Sequence, residues 1–267
     1  VFSTLRQRRY LGLFGICAVI ALVCAGAGTW QIARFDHKHR ANHALRANNS
    51  SSVADVGRAL GPAAAPTSTG KAQQFRHVTA HGVYLAEAQT LVRGQTVNGD
   101  VGYVVVTPLR TDSGVLLVAR GFVAQTQSAA TTPTVAGPPF GEVAVTGRLQ
   151  PGETRADRYG RLPADQVESV NPAEQARRLS APVWDAYAEL LDGQPGTAGL
   201  TPIPGPDLSN PAGGAEEPQH AAYVVQWYLF AGLALALPFV LARAERRRDS
   251  DPDPHTPSLD DRLAGRA

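Results

Sequence analysis

Histidine and cysteine are the residues of this chain whose spacing could hold a metal or a cofactor. His37, His39 and His43 stand close together, and His39 and His43 would share a helical face at i, i+4. That spacing can bind a metal or a haem edge. No cysteine joins the cluster, so it reads as solvated. His77 and His81 would share a strand face and read as structural. His220 stands one residue before a long uncharged window, close to Tyr223 and Trp227, where an imidazole could ligate haem iron or bond a lipid headgroup. The two cysteines, Cys17 and Cys24, form no C-x-x-C or C-x-x-C-H pattern. This excludes a thioredoxin-type redox site, covalent c-type haem attachment and a paired-thiol zinc or copper site. No G-x-S-x-G, H-E-x-x-H, Walker or G-x-G-x-x-G pattern occurs, and the carboxylates are scattered. The expectation is a protein that is not an enzyme, with no catalytic residue and no metal site.

Two uncharged windows must position whatever these residues do. The first runs from Leu11 to Thr29 and the second from Ala221 to Ala242. At 1.5 Å per residue they reach about 28 and 33 Å, close to the hydrocarbon thickness of a bilayer. A signal peptide rivals the first reading, with Ala25-Gly26-Ala27 as its cleavage site. Arg243, Arg246, Arg247 and Arg248 follow the second window, whereas Glu216 and Glu217 precede it. The positive-inside rule then places both termini in the cytoplasm and the middle of the chain outside it. Trp30, Tyr223, Trp227 and Tyr228 would fall at the outer interface as an aromatic belt. Cys17, Ala21, Ala25 and Gly28 on the first window, and Gly232 and Ala236 on the second, form small-residue stripes. Such stripes suit helix contacts in lipid, between the two spans or with another membrane protein. The chain carries a net charge of +2, but 35–220 holds 15 basic and 17 acidic residues, so no basic face is offered and no nucleic-acid partner is expected. Richness in Ala, Gly, Arg and Pro points to a high-GC bacterium and hence a plasma membrane. The chain contains no methionine, which implies missing leading residues or a non-standard start.

The fold class expected is α+β: two transmembrane helices at the ends enclosing an extracytoplasmic, mainly antiparallel β domain with short helices. A basic N-terminus covers 1–10, the first span 11–32, and a polar helical connector and loop 33–70. Ser52 followed by Val53, Val56 and Leu60 suggests a short helix within that connector. The β-rich domain covers 71–192, with strand-like segments at 75–85, 88–94, 102–111, 114–123 and 142–150. Asp112-Ser113, followed by Gly114, reads as a hairpin turn. Asn171-Pro172-Ala173-Glu174 reads as a helix start. Residues 183–191 suit either a last strand or a helix. Half or nearly so of 193–218 is Gly or Pro, the composition of a tether, and the second span follows at 220–242. A disordered tail is expected over 243–267.

Three segments together resemble a known family. Gly28-Thr29-Trp30-Gln31-Ile32-Ala33-Arg34 closes the first span as G-x-W-Q-x-x-R. Val106-Thr107-Pro108-Leu109 and Gly114 to Val123, with Arg120-Gly121-Phe122, form the centre. Pro202-x-Pro204-x-Pro206 and then His220 to Tyr228 lead into the second span. Their order and topology are similar to the Surfeit-locus-one family, two-span assembly factors of haem-copper cytochrome c oxidase. The resemblance implies a protein that helps build an aa3-type oxidase, binding its subunits and associated with haem A in the large subunit. It places His220 as a haem A contact, and Trp30, Gln31, Arg34, Tyr223, Gln226 and Trp227 as the partner-binding set. Phe122 departs from the Trp that many relatives carry there. Alternatives within the resemblance are primary haem A carriage and permanent membership of a respiratory supercomplex. A sensor role lacks an output module in the tail.

Overall fold

The computed structural model describes residues 8–63, 69–125, 133–154, 162–213 and 217–250. The expectations for residues 1–7, for part of the loop at 61–70, for Glu216 and for the tail from 251 lie outside them. The chain divides into two units, Val1–Arg40 with Gly213–Ala267, and Ala41–Ala212.

The first unit is a helix pair. Helix α1 (Arg8–Ser50) continues beyond the apolar window into the polar residues that follow, leaving the unit at Arg40, and α5 (Glu217–Ser250) contains the second window. Both windows are long and apolar enough to cross a membrane. Cys17, Ala21, Cys24, Gly28 and Gln31 are buried or half-buried while their neighbours are mostly exposed, a spacing of alternating four and three. That 3.5-residue period is the seam of a left-handed helix pair. Ala21 and Cys24 pack on Ala231, with Trp227 and Ala234 against them. Phe14 meets Phe239 edge-on at 5.8 Å, so the helices run antiparallel. Small side chains permit this approach where lipid supplies no hydrophobic drive. The stripe expected from sequence is corrected in part. Cys24 rather than Ala25 completes it on α1, and Gly232 and Ala236 are exposed because the seam of α5 steps through Trp227, Ala231, Ala234 and Pro238.

The second unit is built on a closed barrel. Its strands are β1 (Ala54–Asp55), β2 (His77–Tyr84), β3 (Thr90–Val97), β4 (Asp100–Thr111), β5 (Gly114–Ala124), β6 (Glu142–Pro151), β7 (Gln166–Val167) and β8 (Val183–Leu190). The pairing runs β2–β6–β8–β5–β4 and closes when Val83 and Tyr84 pair with Arg110 and Leu109. Every contact in that ring is antiparallel except β5–β8, which is parallel. The first half of β4 carries β3 instead of β2, and β7 adds to β3. Alternation along β8 shows the two faces. Trp184, Ala186, Ala188 and Leu190 point inward with Val78, Leu109, Leu116, Val118, Val145 and Leu149. Val183 and Tyr187 point outward with Val92, Val106, Leu117 and Ala119. The ambiguous segment 183–191 is thus a strand, fixed by ladders on both sides.

Short helices pack on the barrel. Helix α2 (Val56–Leu60) has five residues, too few to persist by propensity. It is held by burial of Val56, Ala59 and Leu60 in the barrel core and by the indole of Trp184 donating to the Gly61 carbonyl at 2.8 Å. Its cap is the Asp55 carboxylate, which accepts from Gly57 and Arg58, so the helix starts later than the Ser52 reading expected. The one-turn helix α3 (Thr69–Ala72) precedes β2. Helix α4 (Pro172–Leu179) begins as expected, with Asn171 accepting from the Glu174 N–H, and sets Ala176 and Leu179 on the outer face.

The Gly/Pro-rich segment expected to be a tether behaves differently over its first part. Residues 194–205 are strapped across the barrel. Gln194 accepts from the Thr146 N–H at 2.8 Å, Tyr84 donates to the Pro195 carbonyl at 3.0 Å, and Thr201 exchanges two backbone bonds with Phe122. The arginine of the central motif lies beneath. Arg120 is 1% exposed and is the extra residue of a bulge on β5, where Val105 faces Gly121 and Val106 faces Ala119. Its guanidinium donates to the Gly196 carbonyl at 2.8 Å, the Gln89 amide oxygen at 2.7 Å and the Ala136 carbonyl at 2.9 Å. Gly121 is required by the strap itself. Its φ is +156°, and a Cβ there would stand 2.7 Å from that of Leu200. Farther along, Arg148 bridges Glu189 at 2.6 Å, with side chains only 7% and 12% exposed, and also donates to the Pro204 carbonyl. A segment low in hydrophobic residues is thus fixed largely by hydrogen bonds, with Leu200 and Ile203 as its apolar contacts, which hides it from compositional reading.

Replacing Arg120 by Met strands one buried and two partly buried acceptors, and the domain should lose about 3 kcal/mol. A lowered Tm of the full chain would show it, with Arg120→Lys restoring only part because an ammonium lacks the fork. High pH tests the strap separately. Burial pushes the Tyr84 hydroxyl up to about 12, and nearby Arg120 offsets this in part. Burial, followed by Glu189 and Glu153, also raises Tyr187. A raised folded pKa means stability is complete below the unfolded value near 10 and falls as pH rises through the folded one. Denaturation should show this loss between pH 10 and 12, and Tyr84→Phe should shrink it.

Candidate functional site

The two elements that carry the sequence-predicted residues are the C-terminal half of the apolar part of α1 and the first turns of α5. A helix repeats every 3.6 residues, so the G-x-W-Q-x-x-R motif divides between faces. Gly28 and Gln31 fall on the seam, whereas Trp30 and Arg34 fall outside it. The structure shows this division. Trp30 is 57% exposed, and the Arg34 guanidinium lies over its indole, 5.4 Å from the ring centroid. At i, i+4 such a pair presents a flat cation–π surface, which strengthens as water is removed.

Gly28 has a different task. A Cβ built on it would reach within 2.9 Å of the Tyr228 ring, so the glycine admits the ring between the helices. One turn on, Gln31 turns its amide oxygen into the seam, where it is buried without a hydrogen-bond partner. On α5, Trp227 is half-buried against the Ala21–Cys24–Ala231 cluster and meets Phe230 edge-on at 6.2 Å. Tyr223, 51% exposed, and Gln226, also exposed, face outward. His220 lies within α5, and its side chain is outside the described residues.

The predicted partner-binding set therefore splits by role. Trp30, Arg34, Tyr223 and Gln226 are presented outward. Gln31 and Trp227 belong to the helix contact. Tyr228 is the residue that sequence reasoning left in the aromatic belt; the signal was its register opposite a glycine that stands in a 3.5-residue series. The other histidines do not converge on a metal. Among the described residues no group of three His, Cys, Asp or Glu side chains could hold one. His39 stacks on Phe35 at 6.0 Å, and in the barrel domain His77 is held below the ordinary imidazole range by burial and then by Arg148.

Gly28→Val should force the helices apart, and Tyr228→Ala should relieve it. Cys24 offers the measurement, because Ala231→Cys places a second thiol in the same contact. Oxidation should cross-link Cys24 to the new cysteine in the full chain. The yield should fall about fivefold or more with Gly28→Val, a packing loss on the order of 1 kcal/mol, and recover when Tyr228→Ala is added.

Comparison with known proteins extends over the same parts of the chain. A family model described as the SURF1 family matches residues 18–232. An uncharacterised SURF1-like protein of Mycobacterium bovis is 30% identical over 207 residues, covering 72% of this chain and 71% of its own length. One from Mycobacterium tuberculosis matches to the same extent. A SURF1-like protein of Monosiga brevicollis is 29% identical over 257 residues, 89% of this chain and 90% of its own. The match starts inside the first apolar window, takes in the Arg120-Gly121 strap site and ends inside the second window, and the chain belongs to the SURF1, or Surfeit-locus-one, family.

Proposed function

We propose that this protein is a membrane-anchored assembly factor for a haem-copper cytochrome c oxidase of the aa3 type, acting by binding and not by catalysis. Both termini lie in the cytoplasm in this reading, and the barrel domain lies outside the plasma membrane. Family membership supports the oxidase as partner. The observation that carries the binding reading is the outward presentation of Trp30, Arg34, Tyr223 and Gln226 on a helix pair whose other exposed residues are mainly aliphatic. An indole–guanidinium pair at the end of an apolar stretch suits a partner that offers an acidic loop above a hydrophobic helix.

Haem A was the cofactor that the resemblance attached to His220. In this reading any help with haem A insertion passes through the oxidase subunit that the protein holds.

The test is a C-terminal affinity tag on the full chain, mild detergent extraction and quantitative mass spectrometry of co-purifying subunits. Trace amounts of one unassembled oxidase subunit are expected, reduced about tenfold by Trp30→Ala with Arg34→Ala, consistent with the roughly 1–2 kcal/mol of a desolvated cation–π site. Near-stoichiometric subunits would identify a resident accessory subunit instead. Absence of every oxidase subunit would overturn the proposal.

A further inference from the structure

The outer face of the barrel is incompletely filled. A cavity of about 280 Å³ lies against β3, β4, β5 and β8 and is bounded also by Glu153, Val170 and the strap residues Ile203 and Pro204. This size stands just under the usual range for small-molecule sites. Its walls have two characters. Val92, Val104, Val170 and Ile203 make one side apolar, and Ala119 supplies a floor with no bulk. Glu153, Tyr187 and Glu189 make the other side polar.

The charges there do not cancel. Glu189 is engaged, because its Oε2 accepts from Arg148 at 2.6 Å and from Gln150 at 3.1 Å. Arg148 therefore compensates Glu189. Among the described residues Glu153 has no such cation, and its Oε2 is buried without a hydrogen-bond partner. Leaving a buried acceptor of this kind without a donor is costly, and more so for a charged group. The Glu153 backbone is fixed, since its N–H donates to the Val170 carbonyl at 2.8 Å, so the carboxylate is held at the cavity wall. Tyr187 stays protonated well above neutrality, with burial as the main cause, and keeps a hydroxyl at the same end.

We propose that this cavity binds one small organic monocation, an alkylammonium with a short apolar body, the ammonium on Glu153 and the body along Val92, Val104, Val170 and Ile203. The single uncompensated carboxylate sets the charge, and the apolar wall excludes a second one. The inference rests on the barrel domain alone and stands independently of the oxidase reading.

The test uses the full chain in detergent, titrated calorimetrically with n-hexylammonium, 1-hexanol and the diammonium of hexane. Hexylammonium should bind saturably. Hexanol and the Glu153→Gln variant with hexylammonium should each bind about tenfold or more weakly, as expected for loss of one charge-assisted hydrogen bond. The diammonium should bind more weakly than the monoammonium. Without ligand, Glu153→Gln should keep or raise the Tm, because the amide removes an unpaired charge. Ile203→Trp, which fills the apolar side, should abolish hexylammonium binding with Glu153 intact, and serves if Glu153→Gln does not accumulate. The proposal is overturned by absence of saturable hexylammonium binding, by equal affinity in Glu153→Gln, or by a lowered Tm in that variant. The last result would mean that a cation of this chain already occupies the carboxylate.

Discussion

A buried guanidinium with no carboxylate partner among the described residues is the constraint on which the barrel domain depends. Arg120 gives its charge-assisted bonds to two carbonyls and an amide oxygen, each from a different segment. Such bonds are worth more than neutral ones, and a desolvated cation left without them would be costly. The loop before β3, the stretch before β6 and the strap after β8 therefore share one interaction that none of them can abandon separately. Gly121 and Phe122 complete it by admitting Leu200 and pairing with Thr201. The central motif thus acts as an anchor for three irregular segments, and it is placed at a bulge because only there does the extra residue leave the ladder.

The helix pair obeys a different rule. Within its seam the contacts are made by small residues with the rings of Trp227 and Tyr228 and, farther along, Phe14 on Phe239, and no charge enters among the described residues. Polar atoms are few, and the amide oxygen of Gln31 is the exception. The exposed Trp30–Arg34 pair stands on the neighbouring face of the same turns, so one short motif separates internal packing from external presentation.

Much of this architecture was legible in the residues. Uncharged windows gave the helices, runs rich in Val, Leu and aromatics gave β2, β4, β5 and β6, and Asn171 with Pro172 gave α4. Gly94, at φ +70°, makes a bulge in β3, so that strand continues to Val97 and the Asn98-Gly99 turn, a strong hairpin signal that went unread, joins it to β4. The strap was opaque because it is held by bonds to its backbone, and composition reports only side chains. At the candidate site, the residue types were legible but their faces were not. Trp30 and Gln31 are neighbours in sequence, yet one is presented and the other enclosed, and only the register of the partner helix decides which.

The position of β8 has a consequence for synthesis on the ribosome. This strand lies between β5 and β6, pairing parallel with one and antiparallel with the other, although it follows both in the chain. Until Leu190 has been made, the sheet lacks the strand that stands between β5 and β6, which do not pair with each other, and the strap that locks Arg120 comes later still. Contacts of such long sequence separation form slowly. Closure of the barrel is thus postponed until just before the second apolar window is translated, and through that interval the chain exposes unpaired strand edges that a chaperone or a premature partner can reach.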